Sequence, residues 1–191
     1  MAEDFPPLTQ NQKIRLLRIA REAIYYLVSR GKAPEVVEPD PRLSVTQGVF
    51  VSLHIGDRLR GCIGTFAGSG PLHRTVVEMA VSAASDDPRF SPLRMDEVPR
   101  VDIELSVLGP LRDIRPEDVV VGKDGLLVAM GRSRGTLLPQ VAEQYGWTRE
   151  EFLSQTCVKA GLDQDDWRDG DCRIQAFTAE VFCESQMRPG A

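Results

Sequence analysis

The stretch Leu59-Arg60-Gly61-Cys62-Ile63-Gly64-Thr65-Phe66 sets an arginine, a thiol and two glycines into a segment whose apolar residues otherwise alternate as in a β-strand. On its N-terminal side Val49 to Ile55 alternates as well. Gly56-Asp57 between the two suits a two-residue hairpin turn, because glycine accepts the positive φ such turns demand. The expected register pairs Ile55 with Arg58, Leu53 with Arg60 and Val51 with Cys62, and sets His54 opposite Leu59. His54 and Cys62 then point to opposite faces, which excludes a Cys–His dyad unless the turn holds an extra residue. On its C-terminal side a loop with Gly64, Gly68, Ser69 and Gly70 leads to a helix opened by Pro71, with the apolar stripe Leu72, Val76, Met79, Ala80 and Ala83. Such a loop either only connects, or offers backbone N–H groups and a positive dipole end to an anion. It carries no Walker lysine and no G-x-G-x-x-G spacing.

Further out, Thr9 and Gln12 fit a capping box before an amphipathic helix (Ile14, Leu17, Ala20, Ile24, Leu27, Val28) that Gly31 closes. Pro34, Pro39 and Pro41 mark a connection. Ser85-Asp86-Asp87-Pro88-Arg89-Phe90 ends the helix after the octapeptide, because Pro88 bars Asp87 from helical geometry. Two carboxylates at the negative end of a helix dipole are unfavourable unless a cation compensates, and Arg89 and Arg60 are the candidates, either in a pocket or, for Arg89, as a local pair on a solvated Asp-Asp turn. Val101 to Val107 reads as a strand with one apolar face and Asp102, Glu104 and Ser106 on the other. That acidic face either meets water or stands against an arginine.

From Gly125 the pattern starts again. Gly125 to Met130 lies over Gly48 to Leu53, and Arg134-Gly135-Thr136 over Arg60-Gly61-Cys62. Helices opened by Pro139 and by Thr148, the latter with Glu151 at N3 and Trp147 and Phe152 as a staple pair, then lead through Gly161 to a polar loop with Trp167 and a closing strand from Ile174 to Cys183. The expectation is an α+β fold: a single two-lobed domain over residues 1–191, mostly antiparallel sheet with flanking helices, with an internal duplication of a hairpin–helix–strand unit as half-repeats 48–108 and 125–184.

The bulk numbers narrow the function. The 191 residues are 42% hydrophobic and 27% charged, with a net charge of -5, a balance that argues against a nucleic-acid partner, since phosphate neutralisation needs a basic face. Met1 to Thr9 has no apolar core of a signal peptide and no later run has membrane-spanning length, so the expected address is the cytoplasm, without a membrane. Four cysteines without a C-x-x-C spacing and two histidines signal no disulfide framework, no metal site and no cofactor; reduced, separate thiols are expected.

Chemistry gathers around the octapeptide. Arg60 and Cys62 are two apart on one strand, and Gly61 and Gly64 clear space for a ligand or a packed backbone. A nearby guanidinium favours a nucleophilic thiolate, whereas the apolar residues expected opposite favour an inert core thiol, and a thiol that touches ligand without reacting is the third reading of Cys62. His73, in the first helical turn, is either a surface residue or a ligand contact. The site expected from these residues has Cys62 and Asp87 in catalytic roles and Arg60, Gly61, Gly64, His73 and Arg89 binding ligand. Arg60, Asp87 and Arg89 would line one pocket with the Gly64–Pro71 loop and hold a small anion. A non-catalytic interaction module uses the same groove in the alternative reading.

LRGCIGTF, together with Ala83-Ala84, Asp87-Pro88-Arg89-Phe90, Ile103 to Leu108, Leu137 to Ala142, and Cys157 to Leu162 ending at Trp167, resembles the AMMECR-domain family, whose bacterial and archaeal members are called AmmeMemoRadiSam system protein A. The resemblance runs in order from about Gln12 to Cys183. It implies a compact α+β domain with two lobes around a cleft, an unassigned activity, and association with a Memo-type protein and a radical S-adenosylmethionine enzyme. No Cys-x-x-x-Cys-x-x-Cys cluster motif occurs here, so the chain is not itself that enzyme. Asp86, which makes a double aspartate before Pro88, departs from the family pattern and leaves open which carboxylate matters.

Overall fold

A computed structural model describes residues 5–187. The reading of Met1 to Thr9 therefore falls in part outside the described residues. The chain divides into two compact units, one built from Pro6–Leu108 with the segment from Glu180, the other from Gly109–Ala179.

In the first unit, α1 (Gln10–Arg30) starts at the expected capping box, with the Thr9 side chain accepting from the Gln12 backbone and the Gln12 side chain from that of Thr9. It ends at Gly31 in the left-handed region, φ 75°. Such a box satisfies two donors that the helix start would otherwise leave bare, worth about 1 kcal/mol. β1 (Val49–Ile55) and β2 (Arg58–Thr65) form the hairpin around Gly56, φ 59°. α2 (Leu72–Ser85) follows, with Pro71 one position earlier than expected, as its N-cap. β3 (Asp102–Leu108) then pairs antiparallel with β1. The β1/β3 face carrying Val49, Val51, Leu53, Ile103, Leu105 and Val107 is fully covered by Leu16, Ile19, Ala23 and Ile24 of α1 and Val76 and Ala80 of α2.

In the second unit β4 (Arg112–Asp113), β5 (Gly125–Met130), β6 (Ser133–Leu137) and β7 (Arg173–Phe177) form a sheet ordered β4-β7-β5-β6. α3 (Pro139–Tyr145) and α4 (Arg149–Lys159) follow the β5–β6 hairpin, and α4 carries the expected Thr148–Glu151 capping box. Phe152, Leu153 and Cys157 of α4 are buried with Leu126, Val128, Ile174 and Ala176.

The expected closing strand Ile174–Cys183 is two strands in different sheets. β7 pairs with β5, while β8 (Ala179–Cys183) lies beside β3, giving the first sheet the order β2-β1-β3-β8. The break falls at the exposed Thr178, whose carbonyl accepts from Gly109 N–H (2.8 Å). Gly109 is needed there, since a Cβ on it would lie 2.4 Å from Thr178 Oγ1. α5 (Glu184–Met187) follows β8, and its Glu184 pairs with Arg21 of α1.

Each unit repeats one connectivity: a hairpin, a helical segment, then a strand that pairs with the first strand of the hairpin. The two glycines aligned by sequence serve the same purpose. A Cβ on Gly61 would sit 2.2 Å from the Ala83 carbonyl oxygen at the end of α2, and one on Gly135 would sit 2.4 Å from the Ala160 backbone nitrogen at the end of α4. In both places the return strand lacks a side chain so that the end of the following helix can rest on it.

Candidate functional site

The hairpin turn has its two residues, but the register departs from expectation one step later. His54 faces Leu59 as expected, whereas Leu53 faces Gly61 and Ser52 faces Cys62, so Arg60 is the extra residue of a β-bulge. The turn was legible; the bulge was not, because nothing in the local pattern distinguishes Arg60 from an ordinary strand position. One extra residue reverses every side chain beyond it. Gly61 and Ile63 turn to the helices, and Cys62 goes to the other face together with Ser52 and His54.

Charge explains the bulge. β2 is an edge strand, and the segment after α2 runs along its free edge. Asp87, 3% exposed, accepts the Cys62 backbone N–H (2.8 Å), and Arg89 Nη2 reaches the Cys62 carbonyl (3.4 Å). Arg89 also binds Asp87 through Nε (2.9 Å) and Nη2 (2.7 Å). The pair thus meets Cys62 as a neighbouring strand residue would, with one acceptor and one donor, and closes an edge that would otherwise invite pairing with another chain. The Arg89 guanidinium, helped by the Cys62 and Arg89 backbone N–H groups and opposed by burial, holds the Asp87 carboxyl far below the usual range. Arg60, aimed outward by the bulge, forks onto Glu97 (2.8 and 2.9 Å) and donates to the carbonyls of Ser91 (2.9 Å) and Pro92 (3.4 Å). Its guanidinium lowers the Glu97 pKa, partly against burial.

The expected anion pocket is therefore taken apart. Each arginine is neutralised by its own carboxylate, and Arg60, Asp87 and Arg89 clip a segment onto a strand edge. The Gly64–Pro71 loop is pinned elsewhere, by Leu72 N–H to the Val45 carbonyl (2.8 Å), and a Cβ on Gly68 would meet the Gln47 carbonyl at 2.6 Å. Gly64 makes room for Phe50, whose ring would lie 2.2 Å from a Cβ there. His73 is no surface residue: it is buried, with Nδ1 3.0 Å from the Leu43 carbonyl, and since a carbonyl only accepts, Nδ1 carries the proton. Its helical turn faces the 41–44 segment, a packing that helix periodicity alone does not reveal.

The groups left with chemistry to do lie on the β1–β3 face turned away from the helices. Cross-strand pairing sets them in three rows: Gly64, Phe50 and Ser106; Cys62, Ser52 and Glu104; Leu59, His54 and Asp102. In the middle row the Ser52 hydroxyl donates to Cys62 Sγ (3.3 Å). Burial pushes the Glu104 carboxyl up, with His54 partly offsetting it and Asp102 adding to it. Asp102 is held by the Ser185 N–H (3.0 Å) and hydroxyl (2.7 Å). Ser106 Oγ is buried without a hydrogen-bond partner. The expected Cys62 environment of Val51 and Leu53 is replaced by this polar row, and the thiol is half-buried. Ser52 escaped the sequence reading; its position in an alternating strand was visible, but its partner depended on the bulge.

The sequence pattern of the AMMECR1 family matches residues 17–182. A protein of Thermococcus gammatolerans is 43% identical over 185 residues, covering 91% of this chain and 90% of its own length. One from Methanopyrus kandleri is 42% identical over 189 residues, covering 94% and 91%. The crystal structure of an uncharacterised protein from Pyrococcus horikoshii superposes with a TM-score of 0.84 at 42% identity, covering 89% of this chain and 90% of that one. With the octapeptide hairpin, its edge clip and the α+β architecture all in place, the chain belongs to the AMMECR1 family.

Proposed function

We propose that the protein binds a small ligand on the first sheet at the row Cys62, Ser52 and Glu104, with the octapeptide supplying the thiol. The observation that carries this reading is the character of that row: a thiol, a hydroxyl and a carboxyl stand side by side, with an unpartnered Ser106 hydroxyl two residues from Glu104, where a purely structural sheet gains most from apolar groups. Glu104, pushed up by burial, is suited to give a proton, and Cys62 to attack an electrophilic carbon or to hold a ligand without reaction. The charge at hand is acidic, with Arg60 and Arg89 engaged by Glu97 and Asp87. The ligand that fits carries a carbonyl or hydrogen-bond donors, in place of the anion expected from the arginines. The family resemblance adds the proposal that the protein works in the cytoplasm alongside a Memo-type protein and a radical S-adenosylmethionine enzyme. No helix among the described residues is long and apolar enough to cross a membrane.

The test is a metabolite screen by ligand-detected NMR on the wild-type protein and on Glu104→Gln and Ser52→Ala, with N-ethylmaleimide labelling of the folded protein in parallel. Ligands that bind the wild type, lose at least tenfold in affinity in either variant and slow the labelling of Cys62 support the site. Hits that bind all three proteins equally, or a Cys62 that labels only on unfolding, overturn it. A non-catalytic interaction module is the second reading, favoured by one observation: the charged residues around the octapeptide are engaged in internal bonds that build the fold.

A further inference from the structure

The internal repeat breaks down at one edge. β6 is the counterpart of β2 and, like it, the outer strand of its sheet. Its register against β5 is regular from Met130–Ser133 to Leu126–Leu137, with no bulge to bend it away. The turn residues Gly131 and Arg132 make Met130–Ser133 a hydrogen-bonded pair, so Ser133, Gly135 and Leu137 bond to β5, while the backbone N–H and C=O groups of Arg134 and Thr136 point outward. Thr136 aligns with Cys62, whose outward groups are met by Asp87 and Arg89. Among the described residues nothing bonds the outward groups of Arg134 and Thr136. The acidic loop after α4, in the place of the segment that clips β2, is bonded to itself: Asp163 N–H donates to Asp166 (2.9 Å), Arg168 pairs with Asp165 (3.5 Å), and Asp171 N–H donates to Asp169 (3.0 Å). Charge then selects the occupant. Arg134, at the position of Arg60, is exposed, as is Arg132 in the turn, and among the described residues neither has a carboxylate partner, whereas Arg60 forks onto Glu97. Like charges along this edge oppose its pairing with the same edge of a second copy and favour an acidic chain.

We propose that β6 takes up an extended, acidic segment of a partner protein as an added strand of the second sheet. The outward backbone groups of Arg134 and Thr136 supply the hydrogen bonds that hold any extended chain, and a carboxylate beside Arg134 supplies the choice of partner. The residue that pairs with Arg134 carries its side chain on the same face as the guanidinium, because directly opposed residues of neighbouring strands share a face. Acidic residues at alternate positions therefore line up with Arg134, as Glu97 meets Arg60 in the first unit. The edge belongs to the second unit, and neither the thiol nor the carboxyl of the first sheet takes part in it.

The probe is a fluorescein-labelled peptide of alternating glutamate and valine, titrated into the full-length protein and followed by fluorescence anisotropy. Two controls accompany it: the same peptide with lysine in place of glutamate, and one N-methylated at its glutamates, which keeps the charge and loses the backbone donors. Saturable binding is expected, weaker by about tenfold or more for either control. Amide exchange by NMR should slow about tenfold at Arg134 and Thr136 in the complex and stay unchanged at Cys62. Arg134→Glu, a change at an exposed side chain that leaves the fold intact, should reverse the preference between the glutamate and lysine peptides. No saturable binding, equal binding of the N-methylated peptide, or protection at other strands in place of Arg134 and Thr136 overturns the added strand. A preference unchanged in Arg134→Glu overturns the acidic partner. So does protection of Arg134 and Thr136 that rises with protein concentration in the absence of peptide, since a second copy then fills the edge.

Discussion

At the scale of single residues, carboxylates decide most of what is distinctive here, in opposite directions. Asp87 sits at the negative end of a helix, yet its pKa is held down because the Arg89 guanidinium and two N–H groups converge on it. Its folded value lies below the unfolded one, so the stability it adds is present above about pH 4, the ordinary carboxylate range, and is lost as pH falls toward the folded value. Asp87→Asn removes that acid-dependent part; Asp87→Ala leaves the Cys62 N–H without its partner and costs about 3 kcal/mol, at the low end for a broken buried pair because Arg89 is half-exposed and screened. Urea denaturation between pH 3 and 7 checks both: the wild-type curve falls on acidification and the Asn curve is flatter. Glu104 runs the other way. Its folded pKa is raised, so the folded state holds the proton more tightly and stability drops as pH climbs from the unfolded value through the folded one. Glu104→Gln is therefore expected to raise the melting temperature at pH 7 and to leave it nearly unchanged at pH 4. A residue that costs stability at neutral pH is what a binding or catalytic carboxyl on this face looks like.

At the scale of elements, the segment from Asp87 to Glu97 behaves as a strap on the edge of β2. Its bonds to β2 are side chain to backbone at Cys62 and a forked ion pair at Arg60, so it has few apolar anchors and depends on Arg60 and Glu97, both largely buried. Glu97→Gln breaks the fork while leaving the size of the side chain. Hydrogen exchange should then show the amides near Leu93 and Cys62 losing protection about tenfold, roughly 1.4 kcal/mol, with α1 amides unchanged. Equal loss in α1 would mean that the strap is part of the global unfolding unit.

At the scale of the whole molecule, the chain leaves the first sheet after β3, builds the second, and comes back for β8. Phe182 on β8 is 1% exposed and completes a core formed otherwise by residues at least 75 positions earlier in sequence. Phe182→Ala should cost about 3–5 kcal/mol. Both tryptophans, Trp147 and Trp167, lie in the other unit. Circular dichroism, which sees both units, should move to lower denaturant further than tryptophan fluorescence does.

The sequence by itself determined the elements and their type. Capping boxes at Thr9 and Thr148, the glycine turn at Gly56, the alternation of β1 and β3 and the recurrence of the hairpin pattern from Gly125 are local signals, set by hydrogen-bonding geometry within a few residues. Family membership was equally plain, since its motifs are contiguous stretches. Tertiary structure alone decided which face each side chain of β2 took, because the bulge at Arg60 is fixed by Glu97 and the backbone of a distant segment. It also decided that Ile174 to Cys183 splits between two sheets, since alternation continues to either side of Thr178 and only the choice of partner strand breaks it. The site followed the bulge: a one-residue slip moved Cys62 from beside Val51 to beside Ser52, and so from an apolar core to a polar row.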